Sequence, residues 1–241
     1  MIEPVLARIR ETLAAAVDPD LRAGQRRFFQ HDVDTWGVRS NQVHCLARDL
    51  YREVKTWPLA RRNALCTALL KSRKLEEGAI VCYVYRRFAR QCSACEFRLF
   101  ERWIDRHVDN WATCDGISSW LLAACIANEP GLMKELPAWT ASPNRWKRRA
   151  SAVSLLQEGK QGRSTEAILD IAARLIADPD DMVQKGVGWL LKETYPRQPR
   201  AVTAFLRKHP ETPRLVVRYA AEKMNAADRT AVLARPRATS G

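Results

Sequence analysis

The chain has a helical pattern from end to end, and that pattern is cut into short lengths. Apolar residues recur at three- and four-residue spacing, and no alternating apolar–polar run stands between turn residues. Breakers fall at Asp18-Pro19, Trp57-Pro58, Glu76-Glu77-Gly78, Glu129-Pro130-Gly131, Ser142-Pro143-Asn144, Asp178-Pro179-Asp180, and at Pro196 with Pro199. Between them the spacing predicts about a dozen helices of roughly ten to sixteen residues. Short helices on short links turn back on one another as antiparallel hairpins. Such a chain folds either as a bundle or as a stack of helix pairs.

An internal repeat selects the stack. The stretch beginning Ser142-Pro143-Asn144-Arg145-Trp146 aligns with Asp178-Pro179-Asp180-Asp181-Met182, and 178 − 142 gives an offset of 36. In each, a polar-Pro-polar cap opens a helix whose second turn carries basic residues. A fainter copy pairs Asp109-Asn110-Trp111 with Pro143-Asn144-Arg145, and 143 − 109 gives 34. Periods in this range belong to helical solenoids, whose pairs share a continuous core and present one long curved surface. The expected fold is an all-α superhelix of HEAT-like repeats with a concave basic face. It should fill 1–227 as a single domain, leaving 228–241 as a frayed tail.

The same alignment gives Asp115, Arg149 and Lys185 one position in successive repeats. Trp111 stands four residues before Asp115, and Trp189 four after Lys185. Residues four apart share a helix face, so a carboxylate, two cations and two indoles are expected along one row.

Charge indicates what such a row would meet. Forty Lys and Arg against 27 Asp and Glu leave a net +13, a surplus that attracts polyanions. Nucleic acid is the expected partner. A membrane is not, since no apolar run approaches the ~20 residues that span a bilayer. Met1-Ile2-Glu3-Pro4 lacks the basic-then-apolar order of a secretory signal, so a cytoplasmic, nucleoid-associated location is expected. Nothing demands more than a monomer. The seven cysteines include Cys92 and Cys95 in a CxxC, but no second pair stands at zinc-finger spacing. They are expected to be reduced core residues, and neither a metal nor a cofactor is implied.

Several segments carry a family resemblance. These are Gly37-Val38-Arg39 after an aromatic helix, Trp111-Ala112-Thr113-Cys114-Asp115, Asn144-Arg145-Trp146-Lys147-Arg148-Arg149-Ala150 and Gln184-Lys185-Gly186-Val187-Gly188-Trp189-Leu190-Leu191-Lys192-Glu193. Over residues 28–219 the chain resembles the AlkD-like DNA alkylation repair enzymes, a family of HEAT-like glycosylases. The resemblance implies hydrolysis of the N-glycosidic bond of N3- and N7-alkylated purines in double-stranded DNA. By position, Trp111 and Trp189 match the aromatic walls of the family's lesion cleft and Asp115 its catalytic carboxylate. Arg149 matches its phosphate-binding arginine, with Arg148 adjacent and exchangeable by a one-residue shift. Lys185 is a further DNA-binding candidate. Phe28 is a DNA-binding candidate too; it falls where relatives often have a tyrosine, so that hydroxyl is absent here.

These residue types suit that chemistry. Alkylation at N3 or N7 puts a positive charge on the purine, which can then depart neutral without a general acid. Positive charge develops on the deoxyribose, where a preorganised carboxylate stabilises it and can align the attacking water. Indole faces attract cations by ~0.5–2 kcal/mol, and arginine grips phosphate bidentately. Three other classes compete. They are a non-catalytic HEAT protein that binds DNA structure, a protein-binding scaffold, and an RNA-binding protein. The complete Trp/Asp/Arg/Trp set argues against the first and the pervasive basic charge against the second.

Overall fold

The structure, a computed structural model, describes residues 1–29 and 33–234. Among these residues there are helices and no strand, as the spacing predicts. The helices gather into two compact units, Met1–Ala124 and Cys125–Gly241.

The first unit holds α1 (Glu3–Ala15), α2 (Pro19–Phe29), α3 (Ser40–Val54), α4 (Leu59–Lys71), α5 (Leu75–Arg86), α6 (Ala94–His107) and α7 (Trp111–Gly116). A π-helical segment, Ile117–Leu122, continues α7. α3 packs on α5 and α5 on α7 in one row, and α1 on α4 and α4 on α6 in the other. This two-row connectivity is that of stacked helix pairs. Leu69, Ile80, Val84, Phe97, Phe100 and Ile104, all fully buried, fill the space between the rows.

Sequence reading and structure differ at Glu76-Glu77-Gly78, which lies inside α5 and not at a break. The break falls earlier, where Arg73 takes the left-handed conformation just past the end of α4. Gly78 has another use: a Cβ there would lie 2.7 Å from the Thr113 hydroxyl oxygen on α7. Gly116 returns the arrangement, since a Cβ on it would lie 2.8 Å from Cys82 Sγ on α5. One glycine on each helix lets α5 and α7 approach closely.

The two glutamates anchor the chain before α3. Glu76, 3% exposed, accepts the Gly37 and Val38 amides and the Thr35 hydroxyl on Oε1 at 2.9, 3.1 and 2.8 Å. Its Oε2 takes the Trp36 amide at 2.9 Å. Glu77, fully buried, accepts Arg10 Nη2 at 3.1 Å and the Trp36 indole at 3.2 Å. Gly37 needs its positive φ of 82° here, and its missing Cβ would strike Cβ of Arg22 at 2.5 Å.

The second unit is entered through α8 (Ala123–Asn128) and a 3-10 turn, followed by α9 (Leu136–Trp139), α10 (Arg145–Val153) and α11 (Leu156–Gln161). It continues with α12 (Thr165–Leu175), α13 (Asp181–Thr194), α14 (Pro199–Lys208), α15 (Arg214–Ala220) and α16 (Ala226–Leu233). Here α10, α13 and α15 pack in sequence in one row, and α12, α14 and α16 in the other. Gly188 admits α15, because its Cβ would meet Tyr219 Cβ at 2.6 Å. Of the tail expected from 228 onward, the first residues belong to α16, and Asp228 accepts the Tyr195 hydroxyl at 2.6 Å. Residues 235–241 lie outside the described residues.

The cysteines are free and not uniformly internal: Cys45 and Cys95 are exposed. Within the CxxC, Cys92 is buried with its thiol on the Phe88 carbonyl, while Cys95 faces solvent. Burial pushes the Cys66 and Cys82 thiols up to about 12. Among the described residues, no helix is long and apolar enough to cross a membrane.

Candidate active site

The repeat read from the sequence reappears as a capping register. Asn110, Asn144 and Asp180 are the N-caps of α7, α10 and α13, each accepting a backbone amide on its side-chain oxygen. Asp115, Arg149 and Lys185 therefore each occupy the fifth position of their helix. The first belongs to the first unit, the other two to the second.

In the first unit, Trp111 opens α7 and Asp115 lies one turn later, both half-buried. The indole is braced from α2. Phe29 stacks on it with centroids 5.0 Å apart and planes at 21°, and Phe28 meets it edge-on at 5.9 Å. Phe28, the residue picked from the sequence, is 68% exposed, whereas its neighbour Phe29 is 5% exposed and makes the stack. The Phe28-Phe29 dyad is the sequence signal for it. Behind Asp115 the helix widens into the π turn, a feature common at functional sites. Ser119 Oγ donates to the Asp115 carbonyl at 2.7 Å, and Ser118 Oγ to the Cys114 carbonyl at 2.7 Å.

In the second unit, α10 and α13 are bound together near their N-termini. Arg148 clamps Asp178 with Nε–Oδ2 2.7 Å and Nη2–Oδ1 3.2 Å, and also donates to the Ser142 carbonyl at 2.9 Å. Arg145 reaches the cap Asp180 at 3.2 Å. Arg149 is 5% exposed. It donates from Nη1 to the Met182 carbonyl and lies over Gly186, whose Cβ would be 3.2 Å from Arg149 Cγ. Lys185 stands on that same stretch of α13, paired with Asp181 at 2.8 Å, and Trp189 is half-buried one turn on. The two neighbouring arginines thus differ: Arg148 closes the loop before α13, and Arg149 is laid along the helix itself.

A family model for DNA alkylation repair enzymes matches residues 9–224. The chain belongs to that family. As a member of the DNA alkylation repair enzyme family, it has a role in DNA repair, with DNA as the partner that such a role requires. Among solved structures, a predicted DNA alkylation repair enzyme from Enterococcus faecalis superposes with a TM-score of 0.78 at 16% identity, covering 87% of this chain and 97% of that one. At that identity the likeness is one of fold. A comparison with curated proteins finds no match.

Proposed function

We propose that this repair enzyme is a DNA glycosylase that hydrolyses the N-glycosidic bond of N3- and N7-alkylated purines in duplex DNA. The observation that carries the reading is the pairing of Trp111 and Asp115 one turn apart on α7. The indole is stacked and braced, and the carboxylate stands on a helix fixed by an N-cap, two interlocking glycines and a π turn. A carboxylate held this way needs little reorganisation when positive charge develops on the sugar. Its oxygen can also orient the water that attacks the anomeric carbon. The alkylated base carries its own positive charge, leaves neutral, and needs no proton from the protein.

Trp111 and Trp189 supply ring faces for the cationic nucleotide. Arg149 and Lys185 take flanking phosphates. The bond from Arg149 Nη1 to the Met182 carbonyl helps to hold its guanidinium. Arg148 adds support from the loop. Enclosure of an extruded base is not part of this mechanism. Selectivity comes from the weakened bond, and affinity from backbone contacts.

The decisive test is incubation of the protein with duplex containing N7-methylguanine, followed by chromatographic detection of free base. Release of N7-methylguanine that scales with enzyme supports the assignment. Binding of the duplex without release, under single-turnover conditions, overturns it.

A further inference from the structure

The first unit carries an aromatic ladder that this chemistry does not use. His44 on α3 lies 3.8 Å, centroid to centroid, from Tyr83 on α5. Tyr83 stacks on Trp120 of the π turn at 5.5 Å and 30°. Arg86 caps the far end, its guanidinium carbon 4.9 Å from the Trp120 centroid. His44 and Arg86 are exposed, and Tyr83 and Trp120 are half-buried. The ladder crosses α3, α5 and the continuation of α7, the row that also bears Trp111 and Asp115.

One rung of it belongs to the π turn. Trp120 follows Asp115 by five residues and lies in the segment Ile117–Leu122, where Ala123 N–H is bonded back to the Ser118 carbonyl.

The ladder also has donors without acceptors. Among the described residues the His44 ring, the Trp120 indole N–H and the Arg86 guanidinium have no hydrogen-bond or ion-pair partner. Tyr83 stacks on Trp120, His44 is tilted against Tyr83 at 47°, and Arg86 lies over the Trp120 ring, so ring faces within the ladder are occupied. An open ring face suits an unstacked base. A line of unpaired N–H donors beside a guanidinium suits a phosphate. The net charge of +13 favours the same partner.

We propose that His44, Tyr83, Trp120 and Arg86 form a duplex-backbone contact site separate from the lesion chemistry. Arg86, Trp120 and His44 donate to a phosphate, and Tyr83 is the strut that spaces them. The identity of the polyanion as DNA rests on the function proposed above. The site positions the duplex along the row that carries Asp115.

Arg86→Gln and Trp120→Phe test this, the latter keeping a ring and removing only the N–H. Both should keep the wild-type Tm. Both should bind undamaged duplex several-fold more weakly, and Arg86→Gln should flatten the slope of log K against log salt by ~0.9. Single-turnover release at saturating protein should hold its maximal rate while the half-saturating concentration rises. Unchanged affinity and slope in both folded variants overturns the proposal. So does a loss confined to single-stranded DNA, which would mean base stacking. Should the wild type bind duplex and release no base, the glycosylase reading fails while this surface is still judged by its own slope.

Discussion

Phe29 stacks on Trp111, 5.0 Å away and tilted by 21°, so the indole proposed to meet substrate is backed by a ring that is itself buried. A stacked partner fixes the plane of an indole and contributes ~0.5–1.5 kcal/mol beyond burial. Phe29→Ala should cost about 3 kcal/mol of stability and lower base release even where the protein is fully folded. Exposed Phe28→Ala should cost under about 0.5 kcal/mol. Denaturant titration and single-turnover excision, run on both variants, check the contrast. Equal effects from the two would remove Phe29 as the brace.

Glu76 offers a sharper test of the fold. Its Oε1 takes three donors and its Oε2 takes the Trp36 amide, so every contact requires an acceptor. Glu76→Gln keeps the shape but must turn an NH₂ toward at least one of these donors. That leaves buried N–H groups unmet and removes charge-assisted bonds, a loss of about 3 kcal/mol. Hydrogen exchange at Trp36, Gly37 and Val38 should rise in the variant. Unchanged exchange there would mean the carboxylate does not hold this turn.

Much of this was legible in the sequence, for identifiable reasons. Periodicity is a property of single helices, so the all-α class and most breaks could be read from it. The 36-residue repeat was readable because Asn144 and Asp180 are N-caps, a role that small polar residues announce. Glu76-Glu77-Gly78 misled because a glycine that terminates a helix and one that admits a neighbour look alike. Only the Thr113 contact from α7 separates them. Phe29 was passed over for Phe28 since the two differ only in facing, and facing is set by packing. The π turn has no composition of its own. Arg149 and Arg148 differ only through their partners, Met182 and Asp178, which lie some thirty residues on.

The interlock of α5 and α7 predicts non-additivity. Gly78→Ala should cost about 1–3 kcal/mol through overpacking against Thr113. Thr113→Ala removes the obstructing hydroxyl and methyl, so Gly78→Ala/Thr113→Ala should lose less than the two singles combined. A coupling of at least about 0.5 kcal/mol in a double-mutant cycle is the expected result. Strict additivity would place the two side by side without contact.

Asp115, Arg149 and Lys185 should separate into three phenotypes. Asp115→Asn should nearly abolish base release and leave duplex affinity at or above wild type, since a negative charge is lost from a DNA-facing surface. Lys185→Ala should flatten the salt slope by ~0.9 with little change in Tm, since its ion-pair partner Asp181 is exposed. Arg149→Ala should flatten the slope and also destabilise, because it strips a buried donor from the Met182 carbonyl. Full excision by Asp115→Asn removes that residue from catalysis.

The last prediction concerns which bases leave. A neutral base departs as an anion unless a group protonates it, and the proposed row of Trp111, Asp115, Arg149, Lys185 and Trp189 includes no evident acid. His107, four residues before Trp111, is the nearest histidine in sequence. Burial, then the charges of Lys71, Arg73 and Arg106, hold its imidazole below the ordinary histidine range, so it carries less proton near neutral pH than a free histidine. Trp111 and Trp189 in turn favour a base that is already cationic. Duplexes bearing N7-methylguanine or N3-methyladenine should therefore lose the base, whereas uracil, hypoxanthine and 8-oxoguanine should stay. Trp111→Ala or Trp189→Ala should slow release of the cationic bases, and His107→Ala should leave it near wild type. Excision of uracil at rates comparable to N7-methylguanine would sink the mechanism, because it would require a proton donor outside the proposed row.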